Sequence, residues 1–388
     1  MGRAARASLT SFCVGCLALC GIALPARALE TDQFTVPDAP LADIGPELSP
    51  YVLATVWDVV QAANAKAQWH DTEARRTPWL FWRDYHRAKA AQYRGEDYLA
   101  LRVYGALAGG GLPECKIEQW AQRLPSRTRD GERIAFPLTC ARAVYGDSLF
   151  TKPLFLVDLS PTINVYGTYM GTDKLGHLFQ QGYEYFCEYR QEEMRGGDES
   201  RALARAVRLG VGQEGGIFGE ALVGVYSNAD LAANYAGLKF YLSLTRAVQV
   251  GTQTLPPLLS RGEGGLWVLN AAGRGRGPES RELLRPFVSD HFNEALNPSR
   301  YSDQMRATVR ANLRRRAERL VAFYHTDLAA SRRTLLELST WHGEDYGHCR
   351  FGRVVTMADN CFPDVAQAEW KEAAQPASAR LPVKLSTR

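Results

Sequence analysis

The stretch that decides the fold reads G-T-D-K-L-G-H-L-F-Q-Q-G-Y-E-Y-F and runs from Gly171 to Phe186. It is followed by Q-E-G-G-I-F-G-E-A, which begins at Gln213, and by S-N-A-D-L-A-A-N-Y-A-G, which runs from Ser227 to Gly237. Charged groups on helices rich in small residues cost several kcal/mol to bury unless they are paired, hydrogen-bonded or metal-bound. The pattern therefore predicts either a chemical site or a buried polar network between helices.

The spacing of these polar residues is helical. Asp173 and His177 are four residues apart, so on a helix their side chains lie on one face, and Asp230 and Asn234 repeat this spacing on a later helix. An imidazole among carboxylates can bind a divalent metal through one nitrogen, or it can act as a general base oriented by a carboxylate. The structural alternative is that these residues cap and hold the helices, since Ser227 and Asp230 resemble a capping box.

Further carboxylates and a second histidine lie outside the two helices. Glu214 ends a glycine-rich helix and Glu220 competes with it, while S-D-H-F-N-E contains His291 and Glu294, three residues apart. Convergence of His291 and Glu294 with His177 would indicate a metal or acid/base centre. The candidate catalytic residues are His177, Asp173, Glu214, Asp230, Asn234, Lys174, His291 and Glu294. A divalent metal is the cofactor that these residues suggest, and its ligands stay open.

A family resemblance rests on the order of these motifs. D-K-x-x-H, then a glutamate at a glycine-rich helix end, then S-x-x-D-x-x-x-N-x-x-G resembles the VanZ-like family of small membrane proteins and the related YfiM-type periplasmic family. The matching positions are Asp173, Lys174, His177, Glu214 or Glu220, Ser227, Asp230, Asn234 and Gly237. The resemblance covers residues 171–237 and implies a helical core without a defined activity. Because these helices also contain residues such as Glu188 and Arg205, it implies a soluble or peripheral version of that core.

The N-terminus has the layout of a secretory signal peptide. Arg3 and Arg6 precede an apolar run, and a small-residue pattern predicts cleavage after Ala28 and export to the periplasm or medium. Lipid attachment at Cys16 or Cys20 is the less favoured alternative, because the residue before Cys20 is too large and the apolar run before Cys16 is too short. Three of the 46 basic residues lie in this segment, which leaves 43 against 42 acidic residues. A nearly neutral chain argues against nucleic acid as a partner.

The hydrophobic periodicity predicts a mainly α-helical fold, with a helical core bundle, flanking helices and a few short strands or irregular loops. We expect a signal peptide (1–28), an N-terminal helical region (29–150) that starts with an extended leader (29–48), a VanZ-like core (151–250), a loop and long C-terminal helix packing on the core (251–375), and a disordered tail (376–388). The expected helices span 50–68, two segments within 78–107, 173–190, 200–214, 228–248 and 301–341. The expected strands lie at 134–138, 154–157 and 266–269.

Five cysteines follow the predicted cleavage site. In an oxidising compartment the economical pairs are Cys115 with Cys140 and Cys349 with Cys361, which leaves Cys187 as a buried small side chain. The loop before Cys349 has a further polar cluster, for which a disulfide-tied loop and a metal site are both open readings. Its members are His342, Glu344, Asp345 and His348.

Two functions are compatible with the sequence. The first is an envelope hydrolase or transferase that acts on a lipid or glycan with His177, Asp173 and Glu214. The second is a non-enzymatic envelope protein that binds a lipid or a protein partner, with the polar residues locking helices together. The basic run Arg314 to Arg316 is either a solvated helix face or a peripheral membrane contact with anionic lipid. Convergence of the polar groups in an open pocket favours the enzyme, and complete pairing between sealed helices favours the network.

Overall fold

A computed structural model describes residues 30–109, 114–124, 133–146, 159–216, 219–220, 224–270, 277–350 and 353–363. Several predictions fall outside these ranges: the signal peptide, the lipid attachment sites, the strand at 154–157 and the disordered tail. Within the described residues, no helix is long and apolar enough to cross a membrane.

The fold is mainly α-helical, as the periodicity predicts. The helices are α1 (Gly45–Arg76), α2 (Leu80–Tyr93), α3 (Glu96–Leu107), α4 (Lys116–Arg123), α5 (Asp173–Gly176), α6 (Gly182–Met194), α7 (Glu199–Gly215), α8 (Asn228–Ser243), α9 (Asp303–Arg315), α10 (Ala317–Tyr324), α11 (Leu328–Glu337) and α12 (Met357–Cys361). A π-helical segment, His177–Gln181, connects α5 to α6. Short 3₁₀ segments span Cys140–Arg142, Glu263–Gly265, Gly277–Glu282 and Asp290–Phe292.

The strands are short and form small antiparallel sheets. They are β1 (Ala135–Phe136), β2 (Thr162–Val165), β3 (Thr168–Gly171), β4 (Val225–Tyr226), β5 (Val248–Val250), β6 (Gln253–Leu255), β7 (Leu259–Arg261), β8 (Trp267–Leu269) and β9 (Arg300–Tyr301). The sheet of β1, β2 and β3 leads directly into α5. Strand β4, which pairs with β9, comes just before α8 in the chain. Strands therefore deliver the chain to both helices that contain the polar motifs.

Several element boundaries differ from the sequence prediction. The expected C-terminal helix is three helices, because the backbone leaves the helical region at Arg316 and turns left-handed at His325 before Asp327 caps α11. Helix α1 begins at Gly45, so Pro50 lies inside the helix and not at its first position. Helix α4 was not predicted, since its charged sequence masks a short apolar face.

The segment before α1 also differs from the expected extended leader. It lacks regular secondary structure, as predicted, but Glu30, Asp32 and Gln33 are buried and Phe34 belongs to the core. Asp32 accepts hydrogen bonds from the backbone nitrogens of Phe34 and Val144, which fixes the segment against the interior. This segment is thus a structural part of the fold.

No disulfide joins the described cysteines Cys115, Cys140, Cys187, Cys349 and Cys361, so the predicted disulfides are wrong for this structure. The interior has two hydrophobic clusters, and each expected pair has one member in each of them. Cys115 lies in the larger cluster around α1, α3, α6 and α8, whereas Cys140 lies in the smaller one around β1 and the C-terminal helices. Cys349 and Cys361 are divided in the same way. Closeness in sequence did not produce closeness in the fold.

Helix α8 is the centre of the larger cluster, and every one of its residues is buried. Small residues let its neighbour approach, as the sequence predicts. A side-chain carbon added to Gly182 of α6 would lie 2.6 Å from the Cα of Gly237, and one added to Gly237 would collide with the carbonyl oxygen of Leu178. The close crossing brings the π segment that contains His177 against α8.

Candidate functional site

Lys174 is the centre of a buried polar cluster. Its side chain has no exposed surface, and its Nζ donates to Asp173 Oδ2 at 2.7 Å, to Glu294 Oε1 at 2.9 Å and to Asp230 Oδ1. Burial alone would lower the pKa of Lys174, but the three carboxylates raise it well above its ordinary value. Lys174 is therefore a cation that neutralises carboxylates from three separate segments of the chain.

His177 lies at the edge of this cluster and uses both ring nitrogens. Its Nε2 is 3.1 Å from Asp230 Oδ2 and its Nδ1 is 3.0 Å from Asn234 Oδ1. The two helical pairs predicted from spacing therefore meet, because His177 bonds to both members of the α8 pair. Burial lowers the pKa of His177, but Asp230 more than offsets this and the pKa is raised to about 9. The imidazole is consequently a cation near neutral pH and donates from both nitrogens.

Ser227 connects the start of α8 to two glutamates. Its Oγ caps the helix by accepting from Asp230 N at 3.1 Å, and it donates to Glu294 Oε1 at 3.0 Å. Its backbone nitrogen donates to Glu214 Oε2 at 3.1 Å. The predicted capping role of Ser227 is confirmed, and the same side chain extends the network to Glu294.

The structure decides between Glu214 and Glu220. Glu214 is buried at the cluster, whereas Glu220 forms an ion pair with Arg300 and keeps 31% of its side-chain surface. Burial and the nearby Asp230 raise the pKa of Glu214 to about 8. Glu214 is thus the cluster member, and it lies there as a neutral acid near pH 7.

Glu294 joins the cluster while His291 does not bond to it. After the 3₁₀ turn, Glu294 is fully buried, and its pKa rises to about 7 because burial outweighs Lys174. His291 bonds instead to Ser289 Oγ and to the carbonyl oxygen of Thr340, and burial lowers its pKa to about 4. Of these two candidate residues only the glutamate reaches the cluster, because the turn ends between them.

Residues of the C-terminal polar loop bond to other parts of the protein. His348 is buried against the side-chain amide of Asn228, and Glu344 pairs with Lys239 at 2.6 Å. His342 adopts a left-handed backbone conformation. No disulfide ties this loop, and among the described residues the only cluster of three or more potential metal ligands is Asp173, His177 and Asp230.

Two buried glutamates near the cluster were missed by sequence reasoning. Burial and the nearby Glu294 raise the pKa of Glu30 well above its ordinary value. Burial, with a contribution from Asp173, raises the pKa of Glu118 of α4 to about 8. A side-chain carbon on Gly176 would collide with Glu118 Oε1, so that glycine makes room for the carboxyl group. Neither glutamate lies in a motif, and no spacing signal in the sequence connects them to it.

The charges of the cluster nearly cancel. Lys174 and His177 are two cations, and they face the carboxylates of Asp173 and Asp230 together with Glu294, whose pKa of about 7 leaves it partly ionised near neutral pH. The raised pKa values of Glu214, Glu118 and Glu30 keep these three acids largely protonated near neutral pH. If these acids were ionised, the carboxylates would outnumber the two cations and the cluster would have a net negative charge.

The pairing is close to complete but has gaps. Asp173 Oδ1, Glu30 Oε2 and Gln181 Oε1 are buried oxygens without a hydrogen-bond partner among the described residues. His177 keeps 16% of its side-chain surface exposed, whereas Lys174 and Glu294 keep none. Solvent reaches the cluster through the imidazole, and the interior of the cluster is sealed.

Three residues of the cluster are potential ligands for a divalent metal. Asp173, His177 and Asp230 each offer a ligand atom within 4.8 Å of the others, and the unpartnered Asp173 Oδ1 is a free oxygen ligand. The ammonium of Lys174, however, already bonds to both aspartates, and both nitrogens of His177 are engaged. A dication bound by all three residues would therefore have to displace at least one of these bonds.

Comparison of the chain with protein-family models, with curated proteins and with solved structures finds no significant match. The class of protein is therefore defined by the fold and the site alone. It is a mainly α-helical protein with a sealed, charge-balanced cluster at the crossing of α5, α8 and the segment of Glu294.

Proposed function

We propose that the protein is a non-enzymatic cell-envelope protein that binds a lipid or a protein partner, and that its polar cluster is a structural network. The observation that supports this is the position of Lys174. It has no exposed surface, and its three ion pairs reach partners 1, 56 and 120 residues away in sequence. A lysine in this position fixes the relative placement of three segments and has no route to a substrate.

The bonding of His177 supports the same proposal. A general acid or base needs a nitrogen that faces the substrate, usually while the other nitrogen is held by an orienting group. Here Asp230 and Asn234 engage both nitrogens. Proton transfer to a ligand would first require one of these bonds to break.

The envelope assignment rests on the predicted signal peptide, and the nearly neutral charge of the chain after its removal fits a partner other than nucleic acid. The resemblance to the YfiM-type periplasmic family agrees with this placement.

Two substitutions test the structural role against a matched control. Asp230→Asn removes the carboxylate between Lys174 and His177, and His177→Ala removes the second cation. We expect Asp230→Asn to lower the free energy of unfolding by about 3 kcal/mol and His177→Ala by about 2 kcal/mol, because each leaves buried charge unpaired. Glu220→Gln, at the surface pair with Arg300, should change it by less than about 1 kcal/mol. Urea unfolding measures all three, and wild-type stability of both cluster variants would overturn the proposal.

A second candidate is a hydrolase or transferase that acts on a lipid or glycan and uses a divalent metal at Asp173, His177 and Asp230. The unpartnered Asp173 Oδ1 and the exposed edge of His177 are the observations that favour it. In this case a metal would polarise an oxygen or activate water, and Lys174 would balance the surrounding carboxylates.

Metal analysis separates the two candidates. Purified mature protein is equilibrated with Zn²⁺, Mn²⁺ or Mg²⁺, passed through a desalting column and analysed for bound metal. The structural proposal predicts substoichiometric metal in both the wild type and His177→Ala. One equivalent of metal in the wild type that is lost in His177→Ala would favour the enzyme.

A further inference from the structure

The connection between α1 and α2 exposes a group of large apolar side chains, far from the polar motifs in sequence. We call it the aromatic tip. The exposed fractions are 72% for Trp79, 61% for Leu80, 74% for Phe81, 51% for Trp82 and 41% for Tyr85. Contiguous exposed apolar groups of this size mark interaction sites more often than isolated ones do. The exposed tip therefore indicates an interaction site.

The aromatic tip lies at the turn of a helical hairpin formed by α1 and α2. Helices α1 and α2 pack together, with His70 Nδ1 2.8 Å from His86 Nδ1, and of the 14 residues of α2 only Ala90 is buried. Trp82 makes edge contacts with Phe81 and Tyr85 at ring distances of 5.4 and 5.7 Å. Almost the whole outer face of α2 is thus available to a partner.

Basic residues surround the tip. Between Arg75 and Lys89 the chain has five basic residues and one acidic residue. Arg75, Arg83 and Arg87 line one cavity of about 380 Å³, together with Asp71, Ala74 and Thr77. The Nε of Arg83 is buried there without a hydrogen-bond partner among the described residues. The cavity offers guanidinium groups to an anion the size of a phosphate group.

We propose that the aromatic tip and its arginine cavity dock the protein peripherally on an anionic phospholipid bilayer. Trp and Tyr prefer the headgroup region, Phe and Leu extend into the acyl boundary, and basic residues are attracted to an anionic membrane surface. The arginine cavity receives lipid phosphate. A second copy of the chain fits less well, because a symmetric contact would bring two sets of arginines together. This proposal rests on the proposed function and specifies its lipid partner, but it uses none of the cluster residues, so failure of vesicle binding is distinguishable from failure of the structural role of the cluster.

Vesicle cosedimentation of the mature protein tests the proposal. Vesicles of phosphatidylethanolamine with 30% phosphatidylglycerol are compared with vesicles of phosphatidylcholine alone. We expect binding to the anionic vesicles that weakens at high salt. Trp79→Ser/Phe81→Ser should reduce the partition coefficient at least tenfold, and Arg83→Gln/Arg87→Gln should reduce it on anionic vesicles only.

Matched controls lie elsewhere on the surface. Met194→Ser/Leu336→Ser removes apolar side chains that are 69% and 61% exposed, and Arg201→Gln/Arg208→Gln removes two exposed arginines of α7. Both controls should bind vesicles as the wild type does. Thermal unfolding confirms that each variant is folded.

Three results would overturn the proposal. They are the absence of wild-type binding to anionic vesicles, equal binding by the tip variant, and equal loss of binding in the controls. Light scattering adds a fourth, because a dimer that the tip variant converts to a monomer would assign the tip to a second copy of the chain.

Discussion

The polar cluster around Lys174 and the aromatic tip at Trp79 are opposite exceptions to the usual pattern of burial. The cluster buries charge, and the tip exposes apolar side chains. Lys174 is a charged residue with no exposed surface, and Trp79 is an apolar residue with 72% of its surface exposed. The cluster offsets its desolvation cost inside the chain, with three carboxylates. Within the part of the chain that the structure describes, the tip stays exposed, and for this reason we propose an external partner for it. We therefore propose that the buried exception concerns stability and that the exposed exception concerns binding.

The largest effect on stability should follow from Lys174→Met, which removes the buried cation of the polar cluster. The variant leaves three carboxylates buried without their cation, and we expect the free energy of unfolding to fall by about 4 kcal/mol. Urea unfolding measures it. Lys116→Met, at an exposed lysine, is the control and should change stability by less than about 0.5 kcal/mol. Equal values for the two variants would show that the cluster does not hold the fold.

The next effect concerns the helix crossing that assembles the cluster. Gly237→Ala places a methyl group against the Leu178 carbonyl, so we expect a loss of about 2 kcal/mol. Gly212→Ala, in α7, has no atom within 4 Å of the added carbon and should stabilise the protein slightly through helix propensity. Thermal unfolding compares them. A tolerated Gly237→Ala would mean that α6 and α8 can separate without losing the cluster.

A smaller effect is the dependence of stability on pH. The pKa of His177 is raised to about 9 and that of Glu214 to about 8, so the folded state binds more protons than the unfolded state below these values. The His177 contribution is complete below pH 6.5 and is lost as the pH rises through 9. We expect the free energy of unfolding to fall between pH 6.5 and 9, with His177 contributing about 2 kcal/mol of the fall.

Unfolding at pH 6.5, 7.5 and 9 compares the wild type with His177→Gln. The fall should be shallower in the variant, because the imidazole proton is gone. Parallel curves for the two proteins would show that His177 does not hold its proton in the folded state.

The smallest effect should come from the exterior side. Trp79→Ser/Phe81→Ser removes side chains that are 72% and 74% exposed, so the free energy of unfolding should change by less than about 0.5 kcal/mol. Urea unfolding of this variant beside Lys174→Met gives both ends of the comparison. Destabilisation by more than about 1.5 kcal/mol would show that the tip packs within the protein.

Much of the fold follows from the sequence because helical periodicity is local. The two helices within 78–107, the helix at Glu199–Gly215 and the start of α8 at Asn228 agree with their predicted positions within a few residues. The long C-terminal helix was wrong because its periodicity continues across Arg316 and His325, where the backbone turns. The disulfide prediction was wrong because pairing was inferred from distance along the chain.

The i, i+4 pairs of Asp173 with His177 and of Asp230 with Asn234, the cap at Ser227 and the small residues of the helix crossing can all be read from the sequence. They depend on neighbours within one or two helical turns. The pairing of Lys174 with Glu294, the burial of Glu214 in place of Glu220, the separate bonding of His291 and the exposure of the tip became visible in the folded chain alone. Each of these depends on contacts between distant segments, whose selection is a property of the whole packed interior.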